Sequence, residues 1–301
     1  MPFPIRLMGK GSHTLNLRSR MREAEQQLLA GPHPERARQD AERLALFLLG
    51  KDRAWLLSNQ DEPVPATFEA TFVQAFSQLI ARRRAGEPIQ YITGHAEFFG
   101  LPFAVTPGVL IPRPETEHLV EEVLRLSASL PNPKIADIGT GSGAIAVALA
   151  HNLPQAQITA TDLSPQALAI ARRNADSNLV ADRIEFLEGD LLTPIAGRRF
   201  SMIVSNPPYV PLRDRASLSV EVRDHEPHSA LFAGDDGLDV YRRLIPDAYP
   251  LLIPGGWLVI EIGFGQKPAI EEMMAENKYE SVHFIVDYQE IPRIAAGQIA
   301  R

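Results

Sequence analysis

Apolar residues recur along the chain with two different periods, and the change of period divides it. In the first 85 residues the spacing is helical. "DAERLALFLLG" places Leu44, Phe47 and Leu48 on one stripe, with Gly50 as a stop. "ATFEATFVQAFSQLIARRRAG" sets Phe68, Phe72, Phe76 and Ile80 on another and puts Arg82, Arg83 and Arg84 in its last turn. The aromatics read as core. The arginines suit either complementation of the helix dipole or a contact to nucleic acid or protein. Between residues 87 and 114, Gly94, Gly100, Pro107 and Gly108 separate short β-prone runs, which predicts a hairpin joining two domains. Beyond Pro114, β-prone runs at 134–138, 157–161, 183–188, 200–205, 256–262 and 282–287 alternate with helical segments such as "SGAIAVALAHN" and "SPQALAIARRNADSN". That alternation predicts an α/β fold, doubly wound about a mostly parallel sheet. The expected organisation is a helical domain over 1–85, a hairpin linker over 86–114 and an α/β domain over 115–301.

Composition narrows the picture. Of the 301 residues 45% are apolar, enough for a sizeable core, and no window is long and apolar enough to cross a membrane. The chain has no cysteine, which excludes disulfides and thiolate chemistry and fits a reducing cytoplasm, the expected location. The first 22 residues hold Arg6, Lys10, Arg18, Arg20 and Arg22 and no acid, as a transit peptide does; Pro2, Pro4, Gly9 and Gly11 interrupt an amphipathic helix there, so a disordered start is expected. Charge is uneven: residues 1–90 carry 13 Lys/Arg against 10 Asp/Glu, and the rest 17 against 27. A general duplex-DNA binder leans the other way, so no direct DNA binding is expected. "DHEPH", with His225 and His228, lacks the spacing of a helical zinc site, and no metal is expected.

The candidate chemistry sits where the expected strands end. "ADIGTGSGAIAV" turns from strand to helix through Gly139, Gly141 and Gly143, where free N–H groups at a helix start can face a ligand. The third glycine comes one residue too early for a dinucleotide fingerprint, so a tight turn without ligand stays open on this motif alone. "ITATDLSP" puts Asp162 at the next strand end, placed to accept ribose hydroxyls; a helix N-cap is the alternative, though Ser164 before Pro165 already offers one. "EFLEGDLL" adds Asp190, suited to an adenine amino group, and Leu191 to pack on the ring. Three such features at successive strand ends favour an adenosine cofactor. The apolar run "FSMIVSNPPYV" then stops on an asparagine and two prolines, and the irregular stretch 211–237 behind it reads as a lid or recognition loop.

Taken together, "DIGTGSG", "TDLS", "GDLL" and "NPPY" resemble a class I S-adenosylmethionine-dependent methyltransferase. "RRRAGEPIQYITGHAEFFGLPFAVTPGVLIPRPETEHLVE" resembles the linker of the release-factor glutamine N(5)-methyltransferase family, over a likeness spanning about residues 25–290. The resemblance implies a Rossmann-like methyltransferase sheet behind a small helical substrate-recognition domain. It implies S-adenosyl-L-methionine held by Gly139, Thr140, Gly141, Ser142, Gly143, Asp162, Asp190, Leu191 and Asn206. It also implies the acceptor amide held by Asn206, Pro207, Pro208 and Tyr209, and transfer to the glutamine in the Gly-Gly-Gln loop of class 1 peptide chain release factors. Many relatives carry an aromatic at the position of Leu191.

The motif suits that chemistry. A carboxamide nitrogen is a poor nucleophile because its lone pair is delocalised, so it must be held in line with the methyl group. The Asn206 side-chain carbonyl and the Pro207 backbone carbonyl can each accept one of its N–H groups, the prolines stiffen the turn, and Tyr209 offers an aromatic wall. Exocyclic amines of DNA bases need the same two acceptors, so a DNA adenine or cytosine amino-methyltransferase is the nearest rival, and a non-catalytic module binding translation factors is another. Across the cleft, Arg113, Glu115 and Glu117 can close over a cofactor, though ordinary N-terminal helix charges explain the two acids equally well, and Glu226 can order the loop.

Overall fold

A computed structural model describes residues 16–61 and 66–301, apart from the side chains of 66–69, so Arg6, Lys10 and the Phe68 side chain lie outside the described residues. The helical stretch comprises α1 (Leu17–Leu28), α2 (Ala37–Leu49), α3 (Arg53–Asn59), α4 (Ala66–Arg84) and α5 (Ile89–Thr93). There follow β1 (His95–Phe98), β2 (Leu101–Ala104), α6 (Glu117–Ser127), β3 (Lys134–Ile138), α7 (Ala144–Asn152), β4 (Gln157–Asp162), α8 (Pro165–Ser177), β5 (Ile184–Glu188) and β6 (Phe200–Ser205). The chain then runs through α9 (Val220–His225), α10 (Asp239–Ala248), β7 (Leu252–Glu261), α11 (Lys267–Glu276), β8 (Glu280–Val286) and β9 (Pro292–Gln298). Two compact units result. One takes in the residues up to Gly94 together with Ser219–His225, the other His95–Leu218 and Glu226–Arg301.

In the helical unit Leu44, Phe72, Phe76 and Ile80 are buried, and the rings of Phe72 and Phe76 stack with centroids 5.4 Å apart. Gly50 ends α2 in the left-handed conformation, its N–H returning to the last carbonyls. The buried face of α2 runs through Ala37, Asp40, Ala41, Leu44, Ala45 and Leu49, which leaves Phe47 beyond its edge and 43% exposed, not core as its spacing suggests. Arg83 departs from both expectations for the arginine run. It is only 2% exposed and donates to Asp40, to the Glu87 carbonyl and to Glu221 of α9. Paired with two carboxylates, a guanidinium can stay in an apolar core that would expel it alone. Part of the stretch expected to be irregular thus forms a short helix within this unit.

The other unit is built on a seven-stranded sheet in the order β5-β4-β3-β6-β7-β9-β8. Its strands run parallel from β5 to β7, while β9 is antiparallel to both neighbours. Successive side chains of a strand point to opposite faces, and both faces here are covered. Ile135, Met202, Val204 and Val259 enter one core with Leu119 and Val123 of α6 and the apolar run of α7. Ile138, Ile203, Leu258 and Ile260 enter the other with Leu244 and Ile245 of α10 and Ile270 of α11. Each such fully buried aliphatic contributes roughly 1.5–3 kcal/mol. The expected hairpin is β1 paired with β2 through Phe99 and Gly100, both at positive φ, as a two-residue turn requires. The strand order reverses between β3 and β6, so the loops leaving those two strands diverge and open a crevice at their carboxyl ends.

Candidate active site

The crevice holds a cavity of about 390 Å³, lined by loops at the ends of β3, β4, β5 and β6 together with the segment before α6, residues 227–230 and the start of α10. On the β3 side the chain turns through Gly139, Gly141 and Gly143, all at positive φ. A Cβ added at Gly139 or Gly141 would meet nothing within 4 Å, whereas one at Gly143 would lie 3.0 Å from the Ala171 Cβ. The first two glycines therefore keep backbone open to a ligand, and the third lets α7 close onto α8. Thr140, Gly141 and Ser142 line the cavity with them. Asn174 of α8, fully buried, fixes the loop by donating to the Ser142 carbonyl at 2.8 Å and clamping Ala104 of the hairpin from both sides.

Asp162 and Asp190 both line the cavity, but each already has partners within the protein. Asp162 accepts from the Gly141 N–H and the Ser164 N–H, each at 2.8 Å. The N-cap of α8 is Ser164, whose hydroxyl oxygen accepts from the Ala167 N–H, so capping is not what Asp162 does. Asp190, half exposed, pairs with Arg243 of α10, a lining residue that strand-end reasoning did not single out. Leu191 sits at φ 47° and lines the same wall, its carbonyl accepting from the Thr161 hydroxyl.

Asp137, two residues before the glycine loop, was likewise passed over. Fully buried, it accepts from the Thr140 hydroxyl at 2.6 Å and the Ala146 N–H at 3.2 Å through Oδ2, while Oδ1 has no partner among the described residues. Burial pushes its carboxyl up to about 7, against the pull of those two hydrogen bonds. The signal for it was an acid inside an otherwise apolar strand.

On the β6 side, Ser205 donates to the Ile138 carbonyl and ties the end of β6 to that of β3. Asn206 and Pro208 line the cavity, and Pro207 is buried behind them. The Asn206 Nδ2 donates to the Thr116 hydroxyl oxygen at 3.0 Å, and Thr116 donates to Glu261 Oε2 at 2.5 Å. Tyr209 is not a wall of this cavity. Its ring packs on the core beneath the sheet and its hydroxyl donates to Glu261 Oε1 at 3.1 Å, because a buried carboxylate outcompetes a solvent-facing pose. Gln266 holds the turn from below, donating to the Tyr209 carbonyl at 3.0 Å. Glu261 is wholly buried, which pushes its carboxyl up to about 7 against the pull of Thr116 and Tyr209.

Arg113, on the rim, donates to both carboxylate oxygens of Glu226 at 2.7 Å, and Glu117 accepts from the Phe99 N–H. Glu115 acts electrostatically on Glu261 and is not a lining residue of the cavity. His228 stacks edge-on against Phe232. Among the described residues no group of three or more His, Asp or Glu is placed to hold a metal, and no helix is long and apolar enough to cross a membrane.

Residues 21–94 match the PrmC N-terminal domain family, and residues 116–222 match the Methyltransferase small domain family. The chain is 45% identical over 262 residues to the release factor glutamine methyltransferase of Koribacter versatilis, covering 87% of this chain and 91% of that one. It is 44% identical over 271 residues to that of Geobacter sulfurreducens, covering 90% and 93%. Among solved structures, the hMettl16 catalytic domain in complex with MAT2A 3'UTR hairpin 6 superposes with a TM-score of 0.56 at 19% identity, over 67% of this chain and 77% of that one, a likeness of fold alone.

Proposed function

The chain belongs to the release factor glutamine methyltransferase family, and on that premise we propose that its cavity holds S-adenosyl-L-methionine and that the acceptor is the glutamine of the Gly-Gly-Gln loop of class 1 release factors. It is an enzyme that methylates release factors on glutamine. The residues present fit the donor. The cavity of about 390 Å³ falls within the range of small-molecule sites. Two of its glycines would direct a Cβ into open space, which leaves their backbone open to a ligand. When bound, the donor supplies a methyl group made electrophilic by a sulfonium centre.

The chain's own residues do the rest. The glycine loop and Asp162 hold the nucleoside, and Asn206 takes one N–H of the acceptor amide on its Oδ1. With the Pro207 carbonyl taking the other, the remaining lone-pair direction of the nitrogen turns toward the methyl group. The donor would supply the methyl group, its sulfur leaving with the electrons of the C–S bond, and the nitrogen, more acidic once alkylated, would lose its proton to water, so none of these residues need act as a strong base. Orientation of this kind can lower a barrier by on the order of 7–11 kcal/mol, against about 0.5–1.5 kcal/mol for each hydrogen bond taken alone. The helical unit, which carries none of these residues, is read as the part that recognises the release factor.

One observation carries the reading: Asn206 and the glycine loop line a single cavity at the point where the strand order reverses. Purified protein, labelled donor and an intact class 1 release factor test it. The expected product carries one added methyl on the Gly-Gly-Gln glutamine, located by peptide mass spectrometry. Label on the exocyclic amine of duplex DNA instead, with the glutamine unmodified, overturns the reading.

A further inference from the structure

The buried chain behind Asn206 runs in one direction. A threonine hydroxyl has one hydrogen and two lone pairs. At Thr116 the hydrogen goes to Glu261 Oε2, so toward Asn206 the oxygen can only accept, and only the amide nitrogen can give. The Asn206 amide is thereby turned with Nδ2 inward. Its Oδ1 is left as the outward end, the acceptor that methyl transfer needs. From this geometry we infer that Thr116 and Glu261 are positioning residues for methyl transfer, acting as a relay that fixes which end of the Asn206 amide meets the substrate. The inference rests on the reading of Asn206 as the acceptor-amide holder.

The relay has a second state. Were Glu261 to gain a proton on Oε2, its own O–H would donate to Thr116, releasing the threonine hydrogen toward Asn206. The amide would then be satisfied only by turning its oxygen inward, presenting an N–H donor to a substrate that also offers N–H groups. The surroundings place this change in an accessible range, since burial holds the Glu261 carboxyl up to about 7. The groups acting on it are Thr116 and Tyr209, which hydrogen-bond its ionised form, Glu115, which raises it, and Arg293 of β9, which lowers it. Tyr241 of α10 donates to the Glu261 backbone carbonyl, and Arg113 acts on Tyr209 from the rim. The ionised carboxylate is the form that holds Asn206 correctly. Turnover should therefore rise with pH through the Glu261 titration and fall below it.

Thr116→Val keeps the volume and removes the relay; Thr116→Ser keeps the hydroxyl. The expected result is a kcat lowered about 10- to 100-fold in Thr116→Val and restored to within about threefold in Thr116→Ser, with the melting midpoint lowered in Thr116→Val, where a buried acceptor loses its partner, and near that of wild type in Thr116→Ser. The acid limb of the single-turnover rate, centred near pH 7 in wild type, should vanish in Glu261→Gln. Wild-type turnover in Thr116→Val, an equal loss in Thr116→Ser, or an unshifted acid limb in Glu261→Gln overturns the relay. A readout without substrate separates this from failure of the proposed function. The Asn206 side-chain amide resonances of ¹⁵N-labelled protein, assigned by their loss in Asn206→Ala, should titrate with a midpoint near pH 7 in wild type and be flat in Thr116→Val. Flat resonances in wild type refute the relay whatever the protein methylates; titrating resonances in a protein that leaves release factor unmodified support the relay and refute only the assigned substrate.

Discussion

The two sides of the crevice solve the problem of holding a ligand in opposite ways. On the β3–β4–β5 side the groups offered are backbone N–H and half-exposed carboxylates, and those carboxylates already have partners in the protein, Asp162 with Gly141 and Ser164 and Asp190 with Arg243. On the β6–β7 side Asn206 and the largely buried Thr116 reach the cavity, and Thr116 ties the amide to Glu261 and Tyr209 in a buried network. The difference suits the two jobs. A donor bound through several modest contacts tolerates exchange of one partner for another, because each exchange is close to neutral. A nucleophile that must be aligned to a fraction of an ångström cannot tolerate a loosely held partner. Substitutions on the two sides should accordingly differ in kind: affinity on the first, turnover on the second.

The largest expected effect is on the acceptor side. Asn206→Ala removes the group proposed to take the substrate N–H and leaves the glycine loop untouched, so kcat should fall on the order of 10²–10³-fold with donor affinity almost unchanged. Single-turnover methylation of release factor, beside calorimetric titration of the donor, measures both. A chemical step near the wild-type rate would show that the two sides do not divide the work as described. Asn206→Asp sharpens the test. The new carboxylate would share the one Thr116 hydrogen with Glu261, and its charge near a sulfonium favours the ground state, so it should bind donor no worse yet turn over slowly.

The same contrast explains what could be read before the fold was known. Donor-side groups lie close together in sequence at strand ends: the glycines, Asp162 and Asp190 each follow a β-prone run, and the position of the run tells where the group points. Thr116 and Glu261 stand 90 and 55 residues from Asn206 and are linked to it, Thr116 directly and Glu261 through Thr116, only because β6 lies beside β7 and Thr116 comes to their ends. Locally, Thr116 reads as an ordinary helix start and Glu261 as the last residue of a strand. β9 was missed for another reason. "PRIAAGQ" has a proline, a glycine and small side chains, the composition of a loop. Pro292 is tolerated as the first residue of the strand, and Gly297 suits close packing, since a Cβ there would lie a tight 3.1 Å from that of Tyr279. Phe47 shows the reverse error, a helical spacing that holds while the buried face lies beside it.

A smaller effect is expected on the donor side from Asp162→Ala. The substitution deletes the proposed acceptor for the ribose and also frees the Gly141 and Ser164 N–H groups, which water can partly satisfy because Asp162 is only half buried. Loss of hydrogen bonds to a charged acceptor costs about 1.5–3 kcal/mol, which corresponds to a donor Kd raised roughly 10- to 150-fold. At saturating donor kcat should stay within a few-fold of wild type. Calorimetry showing unchanged affinity would mean that Asp162 serves the loop alone, and a collapse of kcat at saturation would erase the distinction between the two sides.

The smallest effect, and the one whose sign is most informative, belongs to Arg243. Its guanidinium holds Asp190 at the cavity wall, and both side chains are about half exposed, so the pair itself contributes little, about 0–1 kcal/mol. If Asp190 is to accept from the adenine amino group, the ion pair competes with the donor for the same carboxylate. The donor moreover carries a sulfonium charge, which a neighbouring cation repels. Both arguments have one sign: Arg243→Ala should tighten donor binding, by about two- to fivefold at low ionic strength. Screening should shrink the gain at high salt, where the Debye length falls to about 3 Å at 1 M. Titrations of wild type and variant at two salt concentrations test this, with Asp190→Asn as the companion, since it retains an acceptor oxygen while losing the charge that attracts Arg243. Weaker binding by Arg243→Ala at both salt concentrations would instead place the guanidinium against the donor itself, beside Leu191 in the cavity wall.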